Sequence, residues 1–397
     1  MGSRHRDLEE RLAALPAAER EELTRRGSRM RDEARRQSRA AKGGQRRGSG
    51  RGGDLPTWAL RLRDAYLHQW ALRLLEQDLA ADERPEAPLD EEARSGVVVW
   101  AGRKVARLRI GQEEGALIDA TLPGTLARAQ RGALAVGDEV AWAGAEGEAR
   151  VLRVLPRRSA LSRPDPYNPQ LERTIAANLD LGVIVVAARS PPLRPRLVDR
   201  YLVILERGGV APLLCLNKQD QIQDEALAEE IEAVLAPYLA LGLPVLRCSA
   251  KTGEGLAALA AAVAGRTTAF VGHSGTGKSS LINALFPGLS LETGTLDDDE
   301  RGRHTTTAAA LHEVGAGTRL IDTPGVRSLA LGALDPGQLR WYFPEFAEFA
   351  EACPYRDCTH DHEPDCAVRV AAQAGRLSAA RFEGYLRLLR SLDEEGP

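Results

Sequence analysis

Apolar and polar positions divide the chain into several textures. Leu8 to Leu15 predicts a short helix before Pro16, and the Gly/Ser/Arg stretch 43–53 has the composition of a flexible linker. Over 57–80, Trp58, Leu62, Tyr66, Trp70 and Leu74 recur every four residues, which places them on one stripe of an amphipathic helix. Residues 82–94 are rich in Pro and acidic residues and read as a second linker. From Ser95 to about Ser159 the apolar runs shorten into five candidate strands, Val97 to Trp100, Val105 to Ile110, Ala116 to Ala120, Glu139 to Ala143 and Ala149 to Leu155. Turn glycines at 102, 111, 124, 137 and 144 separate them, and such a series suits a small OB-type β-barrel.

From about Arg173 strands alternate with helical segments, the signature of a parallel α/β sheet. Its apolar strands are Leu181 to Ala188, Pro212 to Leu216, Val245 to Cys248, Ala269 to Val271 and Arg319 to Ile321. Beyond about Asp335 the pattern is helical around a Cys/His cluster, with Ser378 as the cap of a last helix carrying Phe382, Tyr385, Leu386 and Leu389. The expectation is a multidomain α/β protein in four parts: a flexible extension over 1–94, a barrel over 95–160, an α/β domain over 161–330 and a helical domain over 331–397.

Charge changes this picture at one place. Between residues 25 and 53, eleven Arg and Lys face only Asp32 and Glu33, although the whole chain has a net charge of -3. A basic arm on an acidic body suggests attachment to a polyanion such as nucleic acid. No apolar run approaches the ~20 residues that span a bilayer, and no apolar export core follows the charged N-terminus, so no membrane is expected and the location is expected to be cytoplasmic. In that compartment the five cysteines stay reduced.

Gly272-His273-Ser274-Gly275-Thr276-Gly277-Lys278-Ser279, followed by Ser280, fits the phosphate-binding pattern G-x-x-x-x-G-K-[ST], with a strand before it and an amphipathic helix after it. Glycines let backbone N–H groups approach phosphates, and the helix N-terminus adds partial positive charge. Lys278 would reach the β- and γ-phosphates and the Ser279 hydroxyl would ligate Mg²⁺. Asn217-Lys218-Gln219-Asp220 follows another strand and is the NKxD pattern of GTPases. Its carboxylate can accept two hydrogen bonds from guanine N1–H and the 2-amino group, a pair that adenine does not offer, which argues against an ATPase or kinase. Ser249-Ala250-Lys251 has the form of the loop that meets the guanine carbonyl, and Asp322-Thr323-Pro324-Gly325 matches DxxG, whose Asp holds Mg²⁺ through water and whose Gly N–H senses the γ-phosphate.

Arg303-His304-Thr305-Thr306-Thr307 lies where a first switch belongs. Thr306 is the first choice for the Mg²⁺ ligand, with Thr305 and Thr307 open as alternatives. The base motifs precede the phosphate loop, so the order is circularly permuted relative to Ras-like proteins, and the segment after DxxG leads straight into the last domain. Val326 stands where Ras-like enzymes have a glutamine to orient water. His304 is the local substitute, since imidazole can position a water, and slow turnover that a partner accelerates is expected. An RNA-binding, GTP-regulated module with little hydrolysis of its own is the alternative; intact Lys278, Ser279, Asp322 and Asp220 argue against it.

Cys353-x4-Cys358-x-His360-x5-Cys366 supplies three thiolates and one imidazole, a closed structural zinc composition for one ion per chain. His362 is a neighbouring alternative. Cys215 and Cys248 lie in apolar strands and read as inert core thiols.

These motifs, with Leu161-Ser162-Arg163-Pro164, Ile175-Ala176-Ala177-Asn178 and Asp199-Arg200-Tyr201-Leu202, make the chain resemble the ribosome small-subunit-dependent GTPase A family (RsgA, also called YjeQ) over about residues 95–395. The resemblance implies an OB-fold, a permuted GTPase domain and a zinc-containing helical domain. It also implies binding to the small ribosomal subunit and its rRNA, help in late maturation, and GTP hydrolysis that speeds up on the subunit. It maps the family's histidine before the threonine run onto His304 and its zinc ligands onto Cys353, Cys358, His360 and Cys366. The chain is expected to be a monomer. The helix at 57–80 has no counterpart in the resemblance.

Overall fold

A computed structural model of the chain describes residues 93–102, 104–111, 115–124, 126, 134–145, 147–165, 172–289, 309–315, 317–322, 331, 334–355 and 357–394. The helix expected at 57–80, the basic arm, His304, Thr306 and Gly325 lie outside the described residues. The chain divides into two compact units, 86–333 and a second that contains 334–397.

The first unit opens with a closed barrel of β1 (Arg94–Ala101), β2 (Val105–Arg109), β3 (Leu117–Thr121), β4 (Glu139–Ala143) and β5 (Arg150–Val154), ordered β1-β2-β3-β5-β4 and closed by β4 against β1. This is the OB-type order. Strand alternation turns Val98, Ala106, Leu108, Ala120, Val140, Trp142 and Val151 inward, while Arg107 and Asp119 pair on the outside. Full closure leaves no free edge to aggregate.

A hairpin of β6 (Ala160–Pro164) and β7 (Glu172–Ala177) follows. The sequence pattern does not announce it, because its strands are short and mix polar with apolar residues without alternation. The main sheet then comprises β8 (Leu181–Ala187), β9 (Ala211–Asn217), β10 (Val245–Arg247), β11 (Thr267–Val271), β12 (Ala310–Glu313) and β13 (Arg319–Asp322), in the order β10-β9-β8-β11-β13-β12. All neighbours are parallel except the edge pair β12–β13. Every residue of β8 and β11 is buried, as expected of strands covered on both faces. Helices α1 (Pro195–Arg207), α2 (Glu225–Ala240), α3 (Leu256–Val263) and α4 (Lys278–Leu285) connect the strands. Leu281, Ile282, Leu259 and Val263 pack on Val183, Val185 and Phe270 of the sheet.

Barrel and hairpin meet through a buried polar joint. Asp138 is wholly buried; its Oδ2 accepts from Ala135 N at 2.7 Å, and its two oxygens take Arg157 Nε and Nη2 at 2.7 and 2.8 Å. Arg157 also donates to Thr174 Oγ1 on β7 at 2.8 Å. Asn178 follows β7 in left-handed conformation (φ 55°); its Nδ2 donates to Gly137 O at 2.9 Å and its Oδ1 accepts from Arg158 N at 2.9 Å.

The second unit has two 3₁₀ turns, Pro336–Tyr342 and Pro344–Phe346, and helices α5 (Ala347–Ala350), α6 (Ala367–Gln373) and α7 (Ala379–Glu394). Phe343, Phe346 and Tyr385 form its aromatic centre. Ser378 caps α7 as the sequence predicts: its Oγ accepts from Arg381 N at 3.4 Å.

Candidate nucleotide and metal sites

The sequence-predicted loops lie together along one edge of the sheet. Asn217 ends β9, Ser249 follows β10, Gly272 follows β11 and Asp322 ends β13. The five parallel strands present their C-terminal ends there, and the order changes direction between β8 and β11, where ligands bind in open α/β sheets.

The phosphate loop runs from β11 into the N-terminus of α4. Gly272 has φ 144°, and a Cβ there would sit 2.3 Å from Val185 O. Gly277 has φ 89°, and a Cβ there would sit 2.4 Å from Asn217 Nδ2. Only glycine satisfies both the backbone angle and the space. Thr276 Oγ1 donates to His273 O at 2.9 Å and stiffens the turn. Lys278 Nζ donates to Gly272 O and His273 O, both at 2.8 Å, so its ammonium is held over the loop mouth. Ser274, Gly275 and Ser280 are exposed, and Ser279 sits on the first turn of α4.

Asn217 is a bridge that the motif alone does not reveal. It is 2 % exposed; Nδ2 donates to Thr276 O at 2.9 Å and Oδ1 accepts from Ala250 N at 3.2 Å. One amide therefore joins the phosphate loop to the base loop. Lys218, at φ 64°, lays its chain across the same gap and donates to Gly275 O at 2.7 Å and to Ser190 O. Asp220 Oδ1 accepts from Ser249 Oγ at 2.7 Å, and that hydroxyl accepts from Thr252 N at 3.1 Å. The carboxylate is thus fixed beside the 249–251 turn with acceptor capacity to spare. Gln219 N donates to Cys248 O at 3.1 Å, and Lys251 is exposed. Asp322 extends the strand beside β11, in register just past the Ala269–Ile321 pair. Such a rigid, donor-rich cradle can hold a polyphosphate at one end and a base with paired donors at the other.

In the second unit, Cys353, Cys358, His360 and Cys366 bring three sulfurs and Nδ1 within 4.8 Å of one another. Cys366 Sγ lies 3.4 Å from His360 Nδ1, and Cys353 Sγ lies 3.7 Å from it. His360 adopts φ 64°, a left-handed conformation that is uncommon for a non-glycine residue. Burial pushes the Cys358 thiol up to about 12 and raises Cys366 as well. Burial, helped by Arg340, lowers His360 to about 4. A neutral imidazole among crowded, buried thiols is a donor set that fits a soft divalent metal. Arg340 Nη1 on Cys358 O (3.0 Å) and Arg369 on Asp361 O (2.9 Å) and Glu363 O (2.6 Å) hold the ligand loop from outside. His362 is not among the converging ligands.

Comparison with known proteins agrees with this geometry. Residues 154–332 match the RsgA GTPase family model. The small ribosomal subunit biogenesis GTPase RsgA of Gemmatimonas aurantiaca is 43% identical over 282 residues, covering 70% of this chain and 91% of the relative. That of Pseudomonas aeruginosa is 39% identical over 330 residues, covering 82% and 96%. The chain belongs to the RsgA GTPase family. It is therefore a GTPase with a circularly permuted domain behind an OB-type barrel. The crystal structure of YjeQ from Thermotoga maritima matches with TM-score 0.62 and 30% identity, covering 76% of this chain and 98% of that one. The crystal structure of YloQ, described as a circularly permuted GTPase, matches with TM-score 0.60 and 26% identity, covering 79% and 99%. Among the described residues no helix is long and apolar enough to cross a membrane.

Proposed function

We propose that this GTPase binds the small ribosomal subunit through its rRNA, assists its late maturation, and hydrolyses GTP faster when bound there. The carrying observation is the Asn217 bridge, which joins a guanine-type loop to a phosphate loop in a chain whose relatives are named small ribosomal subunit biogenesis GTPases. In this reading Asn217, Lys218, Gln219, Asp220 and the 249–251 turn receive the base, and residues 272–280 receive the phosphates. Lys278 neutralises charge that develops on the γ-phosphoryl group. Ser279, Thr306 and Asp322 would hold Mg²⁺, which would supply positive charge to neutralise the phosphates. Gly325 N–H senses the γ-phosphate and His304 orients the attacking water.

The cluster of three cysteines and one histidine in the second unit would hold one structural zinc ion, because its set is closed and leaves no ligand position for chemistry. The reading keeps the four-part division at 94, 160 and 330, with the basic arm as an additional contact to rRNA, and a monomeric, cytoplasmic protein. GTP hydrolysis by the purified chain, with and without isolated small subunits and with Lys278→Ala as the blank, tests it. Strong stimulation absent from the blank is the expected result. Turnover that subunits leave unchanged would sink the ribosomal part and keep the enzyme.

A further inference from the structure

Arg109 lies on barrel strand β2, and its Nη1 forms an ion pair with Glu313 Oε2 at the end of edge strand β12. The other oxygen, Glu313 Oε1, takes Arg319 Nε at 3.3 Å, directly across the antiparallel register at the start of β13. One carboxylate thus ties the barrel to two strands of the GTPase sheet. The Arg109 and Glu313 side chains are 18% and 24% exposed, so water screens the pair only in part. Arg109 Nε is buried and has no partner among the described residues, so this guanidinium is held chiefly through Glu313.

The position of the tie matters more than its strength. Strand β12 follows the segment that contains His304 and Thr306, and β13 ends at Asp322. A second contact reaches the same strand: a Cβ on Gly137, in the turn before β4, would lie 3.1 Å from Ile321 Cδ1 and 2.2 Å from Ala177 O. Barrel strand β1 also packs on β12. The barrel therefore rests on the two strands that lead out of and into the γ-phosphate-sensing segments, rather than on the base-binding edge at β10.

We infer that Glu313 is a positioning residue that couples the barrel to the nucleotide site through β12 and β13. Displacement of the barrel by a bound partner would load Glu313 and shift the strands that carry the segments at 303–307 and 322. The inference rests on the proposed function for the identity of that partner, and its test separates the two.

Hydrogen exchange of the full chain, with and without a non-hydrolysable GTP analogue, reads the coupling with no ribosome present. Exchange of the β2 amides should respond to the analogue in the parent, and the response should fall about fivefold or more in Glu313→Ala with analogue affinity kept within about twofold. A parent without that response, or an equal response in Glu313→Ala, overturns the inference. Glu313→Gln, nearly isosteric, guards against a collapsed fold and should give an intermediate response. Turnover supplies the second readout. With saturating small subunits, kcat of Glu313→Ala should fall about fivefold or more, while basal kcat, KM for GTP and sedimentation with subunits stay within about twofold. Equal loss of basal and stimulated turnover would mark Glu313 as merely structural and overturn the inference. A parent that subunits do not stimulate would refute the ribosomal reading, and the exchange result would then decide this one.

Discussion

Asn217→Ala isolates the bridge between the base and phosphate loops. The truncation removes the donor to Thr276 O and the acceptor for Ala250 N, both from a residue 2 % exposed. Each buried group left without a partner costs about 1–3 kcal/mol, so the pair costs roughly 3 kcal/mol. Taken wholly from the free chain, that lowers its Tm by about 6–12 °C for a unit of this size. If the loops separate while the sheet stays folded, the same roughly 3 kcal/mol appears instead as about 150-fold weaker GTP binding. Thermal melting without nucleotide and titration with a fluorescent GTP analogue measure the two shares. Asn217→Asp is a graded control, because it keeps the acceptor toward Ala250 N but sets a carboxylate against Thr276 O. A further check uses Gly277, whose added Cβ would sit 2.4 Å from Asn217 Nδ2. Gly277→Ala should therefore be less damaging in the Asn217→Ala background than in the parent, retaining only the left-handed backbone cost of about 1–2 kcal/mol. If Asn217→Ala leaves Tm within about 1 °C and affinity within about threefold, the bridge bears no load and the reasoning is wrong.

Three other predictions concern the metal cluster and the buried joint. The Cys358 thiol, pushed up to about 12 by burial, must lose its proton to ligate, whereas His360, lowered to about 4, is already neutral near pH 7. Adding zinc to the stripped chain in weak buffer should release about one proton per thiol, and retention should weaken as the solution is acidified; equal retention at about pH 5 and pH 8 would contradict the assignment. Because the folded pKa of His360 lies below its ordinary value of 6.5, the second unit of the stripped chain should also lose stability as pH falls from there toward about 4. Separately, Asp138→Ala takes the carboxylate from Arg157, which keeps Thr174, and leaves Ala135 N unpaired, which should cost about 3 kcal/mol in a chemical melt; a cost under about 1 kcal/mol would show that the joint is dispensable.

Much of this was legible in the sequence, for physical reasons that differ by element. Leu181 to Ala187 is an unbroken apolar run because β8 is covered on both faces. The barrel strands alternate because each has one wet face. The phosphate loop announces itself through Gly272 and Gly277, where no side chain fits. Strand β12 stayed hidden: Ala310–Glu313 is short and half polar, and its pairing comes from β13 and its ion pair from the barrel. The β6–β7 hairpin stayed hidden likewise, since Arg173 pairs with Asp165, and Glu172 with Arg207 at 2.6 Å. Tertiary partners make such polar strands possible, and no local pattern encodes them. The second role of Asn217 was equally invisible, because a motif names a residue's chemistry toward a ligand and not its neighbours. The Cys/His cluster was legible because its spacing is local.

The permuted strand order also dictates how the site is assembled as the chain is made. Translation delivers β8, β9 and β10 first, and these are contiguous in the sheet, with the base loops at their ends. Strand β11 then adds to the free side of β8, and β13 and β12 extend the sheet beyond it. A nascent chain ending before residue 272 holds Asn217 with no Thr276 carbonyl to receive its amide, and it has no loop for phosphate. In Ras-like order the phosphate loop waits for the base loops; here the base loops wait for the phosphate loop. Nucleotide therefore cannot template the early half of this domain, because β8, β9 and β10 are made before the loop that would receive its phosphates.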